Sequence, residues 1–393
     1  MKQLLYIAFH NLDNQLFGVQ AKILSQCRAL GEYGYRTDLI ERRGAGTVVI
    51  RDGAEPETVA ERKPLIQNRY ARSVLDKQHQ LRDIMTYLHG KHYDACYIRY
   101  DFSDPGFIRL LKSLRKVCPK IALELPTYPY DNENQALFLS RMKLKVDKLY
   151  RKRLREYIDF IVTFYGGHET IFSMPVQVVP NGFDFSTMGL VTQPLPEDGI
   201  HIIAVSSMRE WHGYERFLAG MHAYYTGQPG DKRNLILHLV GNGREYGKYK
   251  GLVEQYGLQQ HVILEGAMHG EELDALYERC ALGIDSLARH RSGIDVLSSL
   301  KSREYGAKGI PMINSCRIDI IGEDFPYLLR VPADETPIRM EDVLEFYDRC
   351  FASGKSRLEV GREIRGYIEE RSGMKQTLRT VVNRFEETFQ ELP

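Results

Sequence analysis

The residues from Ser298 to Glu304 have the types and the spacing of an anion-binding turn at the start of a helix. A helix is expected to begin at Ser298 and Ser299, because serine is a favourable N-cap. The unpaired N–H groups of Ser299 and Leu300, together with the positive end of the helix dipole, would then face one ligand. Such a position suits a phosphate group.

Lys301 and Glu304 lie three residues apart and therefore share one face of that helix. The lysine can bind an anion and the glutamate can accept hydrogen bonds from hydroxyl groups, so the two side chains could hold one ligand together. The alternative is a capped surface helix with an ordinary Lys–Glu pair. Gly309 is expected to end the helix, and residues 310–313 begin a strand.

Predicted strands and helices alternate along the chain, and these elements must position Lys301 and Glu304. Residues 4–9 form an uninterrupted apolar run, as expected for a strand covered on both faces of a parallel sheet. The same reasoning predicts strands at 37–40, 95–99, 121–125, 160–164, 201–205, 235–240, 262–264, 282–284 and 312–314. Helical patterns lie between most of these strands. The chain is therefore predicted to be a doubly wound α/β protein.

The chain has 393 residues, which is too long for one ordinary core, so two domains are expected. The polar, proline-containing stretch 192–199 is interpreted as a linker. This gives one Rossmann-like domain at 1–190 and a second at 191–373. An amphipathic helix is expected near 375–392, within a C-terminal segment at 374–393.

Polar side chains of the first domain stand at the ends of predicted strands. Arg99 ends one strand, Glu124 lies near the end of the next, and Tyr128 follows it. Ligands of parallel α/β sheets bind outside the carboxyl ends of the strands, so these residues are candidates for substrate binding, with Lys22 on the first helix. Gly18 opens that helix and permits a close approach of the backbone to a ligand. The alternative is that prolines stiffen the loop after Glu124 and its tyrosines only pack.

A helix is predicted from about residue 135 to 157, and its segment 141–156 combines basic and apolar side chains. Its basic residues are Arg141, Lys143, Lys145, Lys148, Arg151, Lys152, Arg153 and Arg155, and its acidic residues are Asp147 and Glu156. Such a helix could lie on anionic lipid, each lysine or arginine near the surface adding about 1 kcal/mol. The alternative is a basic face that only contacts water.

Composition excludes several classes of function. The formal net charge is +1, so no overall field favours nucleic acid as a partner. The six cysteines are scattered without C-x-x-C spacing and are interpreted as reduced core thiols, neither zinc ligands nor disulfides. The N-terminal apolar run is too short for a signal sequence, and no stretch is long enough to span a membrane, so a cytosolic location is expected. A G-x-G-x-x-G dinucleotide fingerprint is absent.

Short motifs in a fixed order resemble those of one enzyme class. They are Glu124-Leu125-Pro126-Thr127-Tyr128-Pro129-Tyr130, Pro180-Asn181-Gly182-Phe183-Asp184, Trp211-His212-Gly213-Tyr214-Glu215-Arg216, Gly241-Asn242-Gly243, and Leu300-Lys301-Ser302-Arg303-Glu304-Tyr305 followed by Gly309-Ile310-Pro311. With two similar halves and no D-x-D metal signature, the whole chain resembles GT-B glycosyltransferases. It is most similar to retaining family 4 enzymes of the bacterial capsule and exopolysaccharide type.

The resemblance implies two Rossmann-like domains facing a cleft, with the acceptor bound by the first and a nucleotide-diphosphate sugar by the second. It implies that Lys301 and the Ser299 and Leu300 amides hold the diphosphate without a metal, and that Glu304 binds the ribose hydroxyls. The further residues assigned to the donor are Gly18, Ser207, Gly241, Asn242 and Ser298. The acceptor would be lipid-linked or an oligosaccharide, and the final helix would cross back to the first domain.

The chain departs from the family pattern at two places. Ser207 and His212 stand where an arginine and a lysine are usual, and Arg209 or Arg216 is a candidate substitute, so Arg209 and His212 join Lys301 and Glu304 as candidate catalytic residues. Val296 stands eight residues before Glu304, where the family has a first glutamate. The main chain of 292–298 or the Asp295 side chain would then hold the sugar.

Two alternatives stay open. One is a different enzyme on the same architecture, such as a nucleotide-sugar epimerase or hydrolase, because a fold does not fix a reaction. The other is a non-catalytic, glycosyltransferase-like subunit that binds another transferase or a membrane. The substitutions at Ser207 and Val296 favour the second alternative, whereas Lys301 and Glu304 argue against it.

Overall fold

The computed structural model describes residues 1–11, 17–44, 46–61, 69–131, 138–164, 166–227, 230–351 and 354–387. The chain forms two compact units. Unit 1 contains Met1–Gly182 and Met374–Pro393, and unit 2 contains Phe183–Gly373. The stretch 192–199, predicted to be a linker, lies inside unit 2, where the backbone N–H groups of Thr192 and Gln193 donate to Glu278 at 2.8 and 2.9 Å.

Unit 1 is built on a nine-stranded sheet. Its strands are β1 (Lys2–Asn11), β2 (Tyr35–Arg43), β3 (Gly46–Arg51), β4 (Glu57–Ala60), β5 (Ala95–Arg99), β6 (Ile121–Leu125), β7 (Phe160–Thr163), β8 (Thr170–Ile171) and β9 (Met174–Val178). Their order is β4-β3-β2-β1-β5-β6-β7-β9-β8. The six neighbouring strands β2-β1-β5-β6-β7-β9 pair in parallel. At the two edges, β3, β4 and β8 pair antiparallel. The central strands β5, β6 and β7 are buried throughout, and β1 is buried from Leu4 to Phe9, as helices on both faces of a sheet require.

Unit 2 is built on a six-stranded sheet in which all pairs are parallel. Its strands are β10 (Ile200–Val205), β11 (Leu235–Val240), β12 (Val262–Gly266), β13 (Leu282–Ile284), β15 (Met312–Asn314) and β17 (Leu328–Arg330). Their order is β12-β11-β10-β13-β15-β17. Two short strands, β14 (Val296–Leu297) and β16 (Arg317–Ile318), form a separate parallel pair. The order reverses beside β10, so the loops after β10 and β13 meet at a switch point where such sheets bind ligands.

The helices connect the strands of each sheet. Unit 1 has α1 (Phe17–Glu32), α2 (Arg69–Tyr87), α3 (Pro105–Leu114) and α4 (Phe138–Tyr150). Unit 2 has α5 (Tyr214–Thr226), α6 (Tyr246–Gln255), α7 (Gly270–Arg279), α8 (Leu300–Lys308), α9 (Met340–Phe351) and α10 (Arg357–Ser372). The final helix, α11 (Met374–Glu386), packs its apolar face into the core of unit 1. The predicted doubly wound α/β architecture is confirmed. Within the described residues, no helix is both long and apolar enough to cross a bilayer.

Helix α4 differs from its prediction. The basic segment was expected to be one helix to residue 157, but the α-helix ends at Tyr150 and a 3-10 turn, Arg151–Glu156, follows. Both helix types bring residues three apart onto one side, and Leu154 is buried in this turn, so apolar spacing alone did not distinguish them. Its predicted first residues, 135–137, lie outside the described part of the chain.

Candidate functional site

Helix α8 begins as its serines predict. Ser299 is the N-cap, with φ −85° and ψ 148°, and its side chain accepts a hydrogen bond from the Ser302 N–H at 3.1 Å. The N–H groups of Ser299, Leu300 and Lys301 have no acceptor among the described residues. The N-terminal end of α8 therefore presents several donors and the positive end of the helix dipole to one place. The Ser298 hydroxyl is turned to Asp319, to which it donates at 2.6 Å.

Lys301 is held in place by a carboxylate that the sequence did not single out. Its Nζ lies 2.9 Å from Asp285 Oδ1 and donates to the Asp285 carbonyl at 2.8 Å and to Ser286 Oγ at 3.1 Å. Asp285 directly follows β13 and is fully buried, and it also accepts from the Ser299 hydroxyl. Burial alone would raise the pKa of Asp285, but Lys301 and the hydrogen bonds hold that pKa below its usual value. An acid at the carboxyl end of a buried strand was the signal that could have revealed this residue.

The Lys301 side chain is only 15% exposed. Burial lowers the pKa of Lys301, and the charge of Asp285 opposes that shift. The pair stabilises a charged lysine beside the free N–H groups of α8. The three contacts with Asp285 and Ser286 hold the ammonium in place before an anion binds, and a phosphate oxygen would replace one of them.

Glu304 lies one turn further along α8 and accepts no hydrogen bond from any described residue. Burial raises the pKa of its carboxyl to about 7, although Lys301 opposes the shift. A partly buried carboxyl without a donor is available to accept hydrogen bonds from ligand hydroxyls. Its assignment to ribose binding stays a prediction.

Glu304→Gln is expected to remove a pH dependence of stability. The folded-state pKa of about 7 exceeds the reference value of 4.5, so the stability contributed by protonated Glu304 is complete below about pH 4.5 and is lost as the pH rises through about 7. Glutamine resembles the neutral carboxyl and keeps that contribution at every pH. Melting temperatures from pH 4.5 to 8 should therefore fall less in the variant than in wild type, with exposed Glu272→Gln as a control. Parallel curves for Glu304→Gln and wild type would contradict the raised pKa.

The loop after β10 brings His212 to the same end of the sheet. His212 is buried, and its Nδ1 accepts from the Arg209 backbone N–H at 2.9 Å, so the neutral ring carries its proton on Nε2. Burial and the positive charges of Lys301, Arg289 and Arg209 lower the pKa of His212 to about 2. His212 thus stays neutral and offers an N–H donor near Lys301. Ser207, earlier in this loop, is exposed.

Arg216 cannot supply the missing cation, and that part of the sequence interpretation is wrong. Its guanidinium is buried and donates to the carbonyls of Thr336 at 2.8 Å, Pro332 at 2.9 Å and Leu287. It therefore holds loops of unit 2 together. Arg209 is partly exposed and its charge acts on His212, so it remains a candidate.

The glycines of the Gly241-Asn242-Gly243 loop have a steric role. Gly241 has φ +117°, and a Cβ there would lie 1.9 Å from the Ser206 carbonyl oxygen. A Cβ on Gly243 would lie 1.9 Å from the Ser207 carbonyl oxygen. These glycines let the loops after β10 and β11 touch, whereas the side chain of Asn242 is exposed and can reach a ligand.

The candidate acceptor residues form a polar cluster within unit 1. Glu124 is fully buried, pairs with Arg99, and accepts from the Tyr97 hydroxyl at 2.7 Å and from Gln26 at 2.6 Å. Burial alone would raise the pKa of Glu124, but Arg99 and then Lys22 bring it below its usual value. The structure therefore brings three of the four predicted residues together, and their charges are largely engaged with one another.

Tyr128 is not part of this cluster, and Lys22 has further contacts outside it. Tyr128 packs edge-on against His168, with ring centres 5.1 Å apart, and against Phe172 at 6.1 Å. Lys22 Nζ lies 3.5 Å from the Phe164 ring centre and donates to Asn181 at 2.5 Å. Gly18 lies in the backbone of α1, and its surroundings are outside the described side chains.

Comparison with known proteins bears on the fold. No protein-family profile matches the sequence, and no curated protein matches it by sequence. Among solved structures, sucrose-phosphate synthase from Thermosynechococcus elongatus is similar with a TM-score of 0.63 at 16% identity, over 98% of this chain and 99% of that one. The chain has the GT-B fold.

Two further GT-B structures agree with that assignment. Anabaena HepE, solved in complex with UDP-glucose, gives a TM-score of 0.55 at 11% identity, over 98% of this chain and 100% of that one. The lipopolysaccharide outer core galactosyltransferase WaaB gives 0.56 at 13% identity, over 98% and 99%. Because the sequence identity is this low, the structural similarity establishes only a common fold. The chemistry must be argued from the site.

Proposed function

We propose that the protein is a retaining, metal-independent glycosyltransferase that moves a sugar from a nucleotide-diphosphate sugar to a hydroxyl of a lipid-linked glycan in cell-surface polysaccharide biosynthesis. One observation carries the proposal. Lys301, fixed by buried Asp285, lies beside the unpaired N–H groups at the start of α8, at the carboxyl edge of a parallel sheet. Solved glycosyltransferases with this fold, including one in complex with UDP-glucose, support a nucleotide-sugar donor.

The donor half of the reaction needs positive charge beside the leaving group. As the bond between the anomeric carbon and the diphosphate breaks, negative charge grows on the phosphate oxygens. The Lys301 ammonium, the Ser299 and Leu300 amides and the His212 Nε2–H would bind that charge, and such fixed donors in a site of low water content stabilise it strongly. Glu304 would orient the nucleotide by accepting hydrogen bonds from the ribose.

The acceptor half of the reaction is assigned to unit 1. In a retaining transfer the acceptor hydroxyl attacks the anomeric carbon from the face that the diphosphate leaves. The new carbon–oxygen bond replaces the bond to the diphosphate, and the hydroxyl proton passes to a donor phosphate oxygen. The Lys22, Arg99 and Glu124 cluster would then act through the shape it gives to unit 1 rather than as a base, because its carboxylate is already paired.

The experiment that tests this function is a transfer assay preceded by nucleotide selection. Thermal shift with UDP, GDP, ADP, CMP and dTDP, with and without magnesium, should give a selective shift with one diphosphate that survives chelation. The matching nucleotide-sugar should then stay nearly intact alone and be consumed with an extract of lipid-linked glycans. A donor that the protein epimerises or hydrolyses without acceptor would replace the proposal with another enzyme.

A non-catalytic partner subunit is the second candidate. The observation in its favour is at the sugar end of the site, where Val296 is 44% exposed and Asp295 is also exposed, so neither residue replaces the expected first glutamate with a buried acid. If no nucleotide stabilises the wild-type protein, this candidate takes precedence, and co-purification with a second transferase would test it.

Helix α4 is proposed to dock the protein on the inner face of the cell membrane. Met142, Val146 and Leu149 are exposed by 44%, 36% and 67%, and they follow one another at helical spacing. Exposed basic side chains surround this apolar stripe, namely Arg141, Lys145, Lys148 and Lys152. An apolar stripe flanked by cations is the pattern of a helix that lies in a lipid interface.

A Lys145→Glu/Lys152→Glu variant is expected to lose flotation with anionic vesicles, because it reverses two charges beside the apolar stripe. Wild type should float with phosphatidylglycerol-containing vesicles and much less with phosphatidylcholine alone. Lys112→Glu/Lys116→Glu makes the same charge change on and just after α3 and serves as the matched control. Equal flotation of wild type with both vesicle types would remove the membrane role.

A further inference from the structure

Arg289 is a cation without an assigned role, placed on the loop that follows β13. It opens a 3-10 turn, Arg289–Ser292, four residues after Asp285. Among the described residues its guanidinium forms no ion pair, and its Nε–H is buried without an acceptor. A buried N–H without a partner costs free energy, so its presence in a native site requires an explanation.

The position of Arg289 is fixed by contacts between two loops. Its guanidinium carbon lies 5.5 Å from the centre of the Trp211 ring. The Leu287 N–H donates to the His212 carbonyl at 2.8 Å, and the Ala288 N–H donates to the Trp211 carbonyl at 3.3 Å. An arginine that contacts the face of an aromatic ring by a cation–π interaction still has N–H groups that can bind phosphate.

These two loops approach each other too closely for a side chain at one position. A Cβ on Gly213, where φ is +65°, would lie 2.6 Å from the Ala288 Cβ. The loop after β10 therefore cannot move away from Arg289 without losing this contact. Tight packing of this kind fixes the two loops that carry Trp211 and Arg289 before a ligand arrives, which lowers the cost of binding.

The charge of Arg289 acts on two residues of the candidate donor site. Its positive charge contributes to lowering the pKa of His212 and of Lys301, where burial is the larger cause for both. Lys301 and Arg289 thus share one region, in which Asp285 is already paired with Lys301 and burial favours the neutral form of Glu304. The excess positive charge suits a diphosphate, whose oxygens would satisfy both cations.

We propose that Arg289 is a diphosphate-binding residue, which supplies from the loop after β13 the cation that Ser207 does not supply from the loop after β10. This assignment rests on the proposed function and names a residue that the motifs did not indicate. Trp211 holds the guanidinium by a cation–π contact, and Lys301 binds the same diphosphate from α8. Arginine suits this task better than lysine, because its planar fork can bind two phosphate oxygens at once.

Arg291, two residues further along the same turn, provides a matched control. Its guanidinium pairs with Glu335 at 2.9 Å and with Glu215 at 2.7 Å. Arg291→Gln removes the same charge from the same loop but from a side chain that is already engaged. Any general effect of charge or loop stability should therefore appear in this variant as well.

The test is isothermal titration of wild type, Arg289→Gln and Arg291→Gln with the nucleoside diphosphate that stabilises wild type and with its nucleoside. Loss of one charge-assisted contact predicts roughly 10- to 30-fold weaker diphosphate binding by Arg289→Gln. Nucleoside binding should stay unchanged, and Arg291→Gln should bind both ligands as wild type does. Unliganded melting temperatures establish that the variants are folded.

The outcomes show whether the assignment of Arg289, the glycosyltransferase proposal or both fail. If wild type binds a diphosphate and Arg289→Gln binds it equally well, the assignment of Arg289 is overturned while the glycosyltransferase proposal stands. If wild type binds no nucleoside diphosphate, both proposals fail. Should Arg289→Gln not fold, Arg289→Lys becomes the deciding variant, since it keeps the charge and loses the fork. It should bind the diphosphate several-fold more weakly than wild type, and equal binding would overturn the assignment.

Discussion

Lys301→Met is expected to reduce transfer by at least about a hundredfold, because removal of one preorganised donor to developing negative charge commonly costs two to three orders of magnitude in rate. The methionine keeps the length of the side chain and leaves the start of α8 intact. Diphosphate binding should weaken together with transfer. Titration with the selected nucleotide and initial rates with its sugar would measure both effects.

Lys308→Met is the matched control for that experiment. Lys308 lies at the end of the same helix and pairs with Asp274 at 2.5 Å, far along the axis from the N-terminal amides. Its replacement should leave diphosphate affinity unchanged. The Lys301→Met chain also leaves Asp285 buried without its cation, so a lower melting temperature is expected. A folded Lys301→Met protein that binds the diphosphate as wild type does would refute the donor site at α8.

Glu124→Ala is expected to lower the free energy of unfolding by about 3–5 kcal/mol, since it leaves the guanidinium of Arg99 buried without its carboxylate. It also removes the acceptor for Tyr97 and Gln26. Chemical denaturation with the two-state criteria checked would measure the change. Glu156→Ala, which breaks an exposed pair with Arg153, should change stability little.

The same variant separates a structural from a substrate-binding role of the polar cluster in unit 1. A purely structural role predicts lower stability with an unchanged Michaelis constant for the acceptor at a temperature where the protein is folded. Unchanged stability together with a raised Michaelis constant for the acceptor would instead favour direct acceptor binding by Glu124.

Much of the fold could be predicted from local sequence. The central parallel strands are mostly apolar and buried, and the start of α8 follows from the capping chemistry of Ser299. Gly309 ends that helix with φ +72°, as its position after the last periodic residue indicates. These features depend on residues that are close in the chain.

The missed features have two causes. The antiparallel strands β3 and β4 pair with neighbouring strands of the chain, but they are short and interrupt the alternation of strands and helices, so they were not predicted. The missed site residues depend on partners that are distant in the chain. Asp285 acquires its role from Lys301, sixteen residues later, and Arg289 from Trp211 on another loop. Spacing along one helix can indicate which side chains share a face, but it cannot indicate which loop will supply their partners.

The return of α11 to unit 1 has a consequence for the order of folding during synthesis. Unit 2 is complete once the ribosome has translated Gly373, whereas unit 1 still lacks Leu378, Val381 and Phe385 of its core. Domains generally fold as units as the chain emerges. The core of unit 1 is therefore completed by residues that are translated after the whole of unit 2, and Met1–Gly182 lacks these side chains until then.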